Sequence, residues 1–368
     1  MKLTRIAQLG AVAAIAALAL TGCAANEGTP GNGSSGNPSE SGSALSGTLN
    51  ATGASSQDAA QQAWVAAFQT ANNGVTVNYQ ATGSGVGRDN FLAGGQSFIG
   101  SDRAFDVEEI AAGGFGSCAS DAIVEVPAYI SPVAIIFNLD GVDSLNLDAT
   151  TIAQIFNGDI TNWNDPAIAA DNADVTLPDL AISPVHRSDP SGTSDIFTGY
   201  LEAVAPDAWP HEASDEWPLS SGEAAQGTSG VVAAVTSGSG TIGYADASQA
   251  GDLGTVAVKV GEEFVPYSSE AAAALVEASP LAEGRSEGDL VFDIDPAAAP
   301  AGSYPIALVS YLIACEEYED AATAELVQAY FTYVTSAEGQ QVAAEAAGSA
   351  PLTDTVREQI TAALELIG

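Results

Sequence analysis

The chain has 368 residues, 46% of them hydrophobic, and carries 47 Asp and Glu against 8 Lys and Arg, a formal net charge of −39. So acidic a surface repels nucleic acid and anionic lipid and offers neither a basic patch, which excludes both as partners held through their phosphates. Only two histidines, His186 and His211, and three cysteines without metal-ligand spacing are present, so neither a metal nor a cofactor is expected.

In chain order, Lys2 and Arg5 precede an apolar, small-residue run from Ile6 to Leu20 that is too short to cross a bilayer and stay there. Residues 1–22 therefore read as a secretory signal peptide. Leu20-Thr21-Gly22-Cys23 follows directly and resembles the bacterial lipobox, whose cysteine is lipidated and becomes the mature N-terminus. This predicts an extracytoplasmic protein anchored to the cell membrane by a lipid, such as palmitate, on Cys23. Residues 23–46, rich in Gly, Ser, Asn and Pro, form the lipidated cysteine and a tether without the side chains to build a core. Loss of the leader leaves about 346 residues, enough for two domains of ordinary size. It also leaves six basic residues against 47 acidic ones, and no second stretch long enough to span a membrane. With Cys23 assigned to the lipid, Cys118 and Cys315 are an even pair in an exported chain, and a disulfide between them is expected.

The spacing of apolar residues predicts a helix over Asp58–Thr70 with Ala60, Trp64, Ala67 and Phe68 on one side, then a strand at Val75–Tyr79. Strands follow at Ile123–Val126 and Ala134–Phe137, and a helix at Thr151–Phe156. Gly222–Gly243 reads as a small-residue helix around Val231–Val235 between loops, and Ala321–Gly368 as helical, interrupted near Gly348–Pro351. Alternation of this kind predicts an α/β fold with parallel-rich sheets covered by helices on both faces.

Three places share a Gly/Ser/Thr turn after a strand-like run and before a helix: Thr52–Ser56, Thr82–Gly87 and Asp189–Ser194. A helix N-terminus exposes unpaired N–H groups and the positive end of the dipole, and small hydroxylated residues let an oxyanion approach them. One such turn is an ordinary N-cap; three together suggest an anion site. The third carries Arg187-Ser188-Asp189-Pro190-Ser191-Gly192-Thr193, in which a guanidinium fork suited to two oxygens of a tetrahedral anion sits two residues from a carboxylate that can hold it.

From about Leu49 to the C-terminus the chain resembles the substrate-binding proteins of phosphate ABC importers, the PstS family. The resemblance rests on Val77-Asn78-Tyr79-Gln80, Ile99-Gly100-Ser101-Asp102, Thr151 to Trp163, Arg187 to Thr193, Thr241-Ile242-Gly243-Tyr244, Tyr304-Pro305-Ile306 and Ala350-Pro351-Leu352, in that order. It implies a two-domain periplasmic-binding-protein fold of type II, a clamshell with a mixed, mostly parallel sheet in each domain. Domain I would be residues 47–131 plus 305–368 and domain II residues 132–304, with the hinge at Ser131-Pro132 and Tyr304-Pro305. It implies inorganic phosphate as ligand, with Ser55, Ser56, Ser84, Ser191, Gly192 and Thr193 as donors, Arg187 as guanidinium, Asp189 as its partner and Asp102 as acceptor. The other partners implied are the membrane permease subunits of the importer, and the protein is expected to be a monomer. Many members have Thr-Phe-Pro where this chain has Ser55-Ser56-Gln57, which leaves the side-chain role of Ser56 open. Three other readings remain: a binder of sulfate, molybdate or a phosphorylated solute; a serine hydrolase or phosphatase using Ser191 or Ser84, which would need a positioned base; and a purely structural surface protein.

Overall fold

The structure, a computed structural model, describes residues 45–368; the leader, Cys23 and nearly all of the tether lie outside the described residues. The strands are β1 Ser46–Gly53, β2 Gly74–Gln80, β3 Phe98–Ser101, β4 Ile123–Asn138, β5 Ser144–Leu147, β6 Ser183–Arg187, β7 Glu223–Ala225, β8 Thr241–Asp246, β9 Gly254–Val260, β10 Glu263–Val265 and β11 Ala307–Cys315. The helices are α1 Asp58–Ala71, α2 Ser84–Ala93, α3 Val107–Ala112, α4 Ala149–Asn157, α5 Pro166–Asp171, α6 Gly192–Val204, α7 Gly227–Ser237, α8 Ser269–Ala278, α9 Ala321–Thr335, α10 Ala337–Ala347 and α11 Asp354–Leu364.

The helical periods fall where the apolar spacing placed them. In α1 the buried residues are Ala60, Gln61, Trp64 and Phe68. Gln61 takes the inward place expected of Ala67, because a polar side chain can be buried where it is fully hydrogen-bonded. The C-terminal helices break at Gly348, which adopts the left-handed conformation as the C-cap of α10. Around α7 the flanks are short strands, β7 and β8, where loops were expected. β1 already pairs at Ser46, opposite Gly74, so the last residue read as tether belongs to the sheet.

The strands run in the order β2-β1-β3-β11-β4-β8-β6-β7, with β9 joining β4, β5 and β10 off this path. Pairing is parallel among β2, β1 and β3 at one end and among β8, β6 and β7 at the other. It is antiparallel where β11 and β4 carry the chain between those groups. Residues 123–126 and 134–137, read as two short strands, form the single strand β4, which contains Pro127 and Pro132. It survives its prolines through a bulge: Ser310 of β11 faces Tyr129 and Tyr311 faces Pro127, so Ala128 is an extra residue. The Ala128 carbonyl, turned out of the ladder, accepts from Gln340 Nε2 at 2.9 Å. Ile123–Pro132 pair with β11 and Val133–Asn138 with β8, so β4 changes partner between Pro132 and Val133. The disulfide Cys118–Cys315, with Cα atoms 5.3 Å apart, ties the segment after α3 to the end of β11.

Candidate functional site

The first turn joins β1 to α1 and is buried. Ser56 Oγ donates to Asp102 Oδ1 at 2.5 Å, and Ser55 Oγ lies 3.0 Å from Thr228 Oγ1 and accepts from the Thr228 backbone N–H at 3.2 Å. Ser56 thus acts through its hydroxyl on a carboxylate. The second turn opens α2 at Ser84, whose Oγ accepts from the Asp102 backbone N–H at 3.1 Å. Gly83 before it has φ +100°, and a Cβ there would stand 2.6 Å from Asp189 Oδ2, so only glycine lets this turn close over the Arg187–Asp189 pair.

The third turn follows β6. Arg187 is 3% exposed, and its Nε and Nη2 donate to Asp189 Oδ1 and Oδ2 at 2.9 and 2.5 Å, a bidentate fork. Asp189 Oδ1 also accepts from the Gly227 N–H at 3.0 Å. Burial raises the Asp189 carboxyl, but the Arg187 hydrogen bond and charge, joined by the Gly227 N–H, outweigh it and hold Asp189 below the usual range. The Arg187 backbone N–H donates to Tyr244 Oη at 3.3 Å, and Tyr244 Oη sits 2.7 Å from Ser194 Oγ, fixing β6 against α6. Ser191 caps α6 by accepting from the Ser194 N–H. A Cβ on Gly192 would meet Asp102 Cβ at 2.6 Å, so its absence lets the α6 N-terminus press against Asp102.

Asp102 lies where these turns meet. Oδ1 accepts from Ser56 and, at 2.6 Å, from Ser310; Oδ2 accepts from Thr193 Oγ1 at 3.0 Å. Burial pushes its pKa up, and the hydrogen bonds of Ser310, Ser56 and Thr193 together with the charge of Arg187 oppose that without reversing it.

All nine residues expected at the site therefore converge. Three participants were not anticipated: Gly227 and Thr228 at the start of α7, and Ser310 of β11, opposite the bulge of β4. Gln226-Gly227-Thr228-Ser229 carries the same Gly/Ser/Thr signature before a helix as the other turns, so it was readable. Ser310 is the one serine in the mostly apolar run Ala307–Cys315, a faint signal of an inward polar contact. Neither histidine joins a serine of the site: His186 Nδ1 contacts the Arg187 carbonyl while its ring stacks on Trp217, and His211 Nε2 contacts Asn157.

A mixed sheet in two groups bridged by β4 and β11, with helix N-termini facing across the join, is the periplasmic-binding-protein fold. The family described as PBP superfamily domain matches residues 38–338. Phosphate-binding protein PstS 3 of Mycobacterium tuberculosis is 35% identical over the full length of both chains. Phosphate-binding protein PstS of Xylella fastidiosa is 29% identical over 81% of this chain and 80% of its own. The fold matches that of PfluDING, a high affinity periplasmic phosphate-binding protein solved bound with phosphate, at a TM-score of 0.70 and 22% identity over 86% of this chain and 93% of that one. The chain belongs to the PstS family of phosphate-binding proteins.

Proposed function

We propose that this protein captures inorganic phosphate outside the cell membrane and delivers it to the permease subunits of an ABC importer. The observation that carries the reading is the meeting of four helix N-terminal turns, a buried guanidinium locked by Asp189 and one acceptor, Asp102. Ser55, Ser56, Ser84, Arg187, Asp189, Ser191, Gly192 and Thr193 form the phosphate site with Asp102, and Thr228 is added to them. Domain I, residues 47–131 and 305–368, supplies the first two turns and Asp102. Domain II, residues 132–304, supplies the other two. The change of partner along β4 at Pro132 and the bond from the Val133 N–H to the Ile306 carbonyl, at 2.8 Å, support a hinge at Ser131-Pro132 and Tyr304-Pro305. The protein acts as a monomeric binder and not as an enzyme, a reading supported by histidines engaged away from Ser84 and Ser191.

Calorimetric titration with phosphate, sulfate and molybdate tests this reading. Saturable 1:1 heat with phosphate, and far weaker heat with the other two, is expected; a preference for sulfate or molybdate would overturn it. A lipid on Cys23 holds the protein at the membrane, so Cys23→Ala should move it to the soluble fraction with phosphate affinity unchanged. Retention of that variant in membranes would refute the anchor.

A further inference from the structure

Behind Asp102 a line of buried polar side chains runs away from the site into domain I. Gln57 is fully buried at the N-cap of α1, yet its side chain does not cap the helix, as residues at that position commonly do. It points inward, and its Nε2 donates to the Tyr311 carbonyl at 3.1 Å and to Ser310 Oγ at 2.6 Å. Its Oε1 accepts from Gln61 Nε2 at 2.8 Å, and Gln61 Oε1 accepts from Tyr330 Oη at 2.8 Å.

One group fixes the direction of the whole line. A carbonyl only accepts, so the Tyr311 carbonyl requires the amide nitrogen of Gln57 on its side. Gln57 Oε1 then faces Gln61, which must present its own nitrogen, which turns Gln61 Oε1 toward the Tyr330 hydroxyl. At the other end, Ser310 Oγ has one lone pair filled by Gln57, and its single proton goes to Asp102 Oδ1 at 2.6 Å. Every donor in the line points toward the carboxylate. Aligned hydrogen bonds polarise one another, so the last donor of such a chain is a stronger one than a lone serine.

We propose that Gln57, held by Gln61 and Tyr330, is a positioning residue that sets the selectivity of the site by keeping Asp102 ionised and acceptor-only. This rests on the phosphate-binding reading above. Burial favours the protonated carboxyl, and a protonated Asp102 would donate and so admit an anion that carries no proton. The groups facing Asp102 are few. Arg187, paired with Asp189, approaches from the β6–α6 turn; the buried Tyr79 phenol lies on β2; and Ser56, Thr193 and Ser310 supply hydroxyls. Gln57 acts through Ser310 and touches neither anion nor carboxylate. Removing a donor that favours the ionised form raises the carboxyl pKa, so the variant should lose its preference for phosphate at a higher pH than wild type.

The test is competition calorimetry with phosphate and sulfate from pH 4 to pH 8 on wild type, Gln57→Met, Gln61→Met, Ser310→Ala and Gln57→Met/Ser310→Ala. In Gln57→Met the phosphate-to-sulfate ratio should collapse at a pH higher by about half to one unit, the roughly three- to tenfold change in proton affinity that one hydrogen bond supplies. Gln61→Met, which frees the Gln57 amide to turn, should shift it less in the same direction. The double variant should match Ser310→Ala, since Gln57 has no route to Asp102 once Ser310 is gone. A profile unchanged in Gln57→Met, or additive shifts in the double variant, would overturn the inference while leaving phosphate binding standing. If Gln57→Met does not fold, Gln61→Met and Ser310→Ala decide: an unmoved profile in both overturns it. Wild type that does not bind phosphate removes the reading on which the inference rests, and the inference with it.

Discussion

An ionised carboxylate can only accept hydrogen bonds, and it has about four positions at which to do so. Asp102 fills three of them with Ser56, Ser310 and Thr193. One remains for a ligand, and it demands a proton. Inorganic phosphate near neutral pH carries at least one, whereas sulfate carries none and would set two negative oxygens face to face in a buried site. In the proposed phosphate site the other groups, hydroxyls, backbone N–H groups and an arginine already paired with Asp189, could serve either anion, which leaves this single acceptor to decide between them. Asp102→Asn turns a donor toward the ligand and should narrow the phosphate-to-sulfate affinity ratio by roughly ten- to a hundredfold, the cost of about 1–3 kcal/mol for one unsatisfied buried partner. Parallel titrations of a folded variant check this, and an unchanged ratio would show that Asp102 serves only to pin the turns together.

At the scale of elements, what could be read from the sequence was whatever is local. A helix start announces itself in three or four consecutive residues, so the turns at Ser55, Ser84 and Ser191 were legible, and Thr228 carries the same signature. The period of α1 was legible too, except that Gln61 replaced Ala67 on the inner face, since nothing local says that a glutamine will find Gln57 and Tyr330 as partners. Ser310 was hidden for a stronger reason. Its contact with Asp102 spans 208 residues and needs the bulge at Ala128, which exists because Pro127 cannot continue the ladder. The Cys118–Cys315 pair came from counting and compartment alone, and the structure forms it, with both residue numbers inside the proposed domain I. A bridge across 197 residues is worth about 2–4 kcal/mol, and it does not cross the hinge proposed at Pro132.

For the whole molecule, the hydrogen bonds that join the two sets of turns across the proposed cleft are few. Thr193 reaches Asp102, Thr228 meets Ser55, the Gly85 N–H donates to the Pro190 carbonyl at 3.2 Å, and Gln249 Nε2 donates to the Ser55 carbonyl at 3.3 Å. Two ion pairs also join the proposed domains: Arg103 to Asp215 at 3.6 Å, with both side chains about a quarter exposed, contributes little in water, whereas Arg285 to Glu125 at 3.5 Å is buried, beside the Arg285 bond to the Phe105 carbonyl at 3.0 Å. Against these stands the mutual repulsion of two domains that share six basic residues among 45 acidic ones. A ligand that bridges the two sets of turns adds to the closed side of that balance. Moving an equilibrium from mostly open to mostly closed takes about 5.5 kcal/mol of preference for the closed form. Two or three charge-assisted hydrogen bonds from the second domain, at about 1.5–3 kcal/mol each, supply that, and Arg187 with the α6 and α7 turns offers them. Phosphate should therefore compact the protein. Because the opposing force is screened charge repulsion, the unliganded protein should also contract as salt rises from 10 mM toward 1 M. Small-angle scattering on the mature chain measures both effects. A radius of gyration unmoved by saturating phosphate at every salt concentration would refute closure as the way this protein holds its ligand.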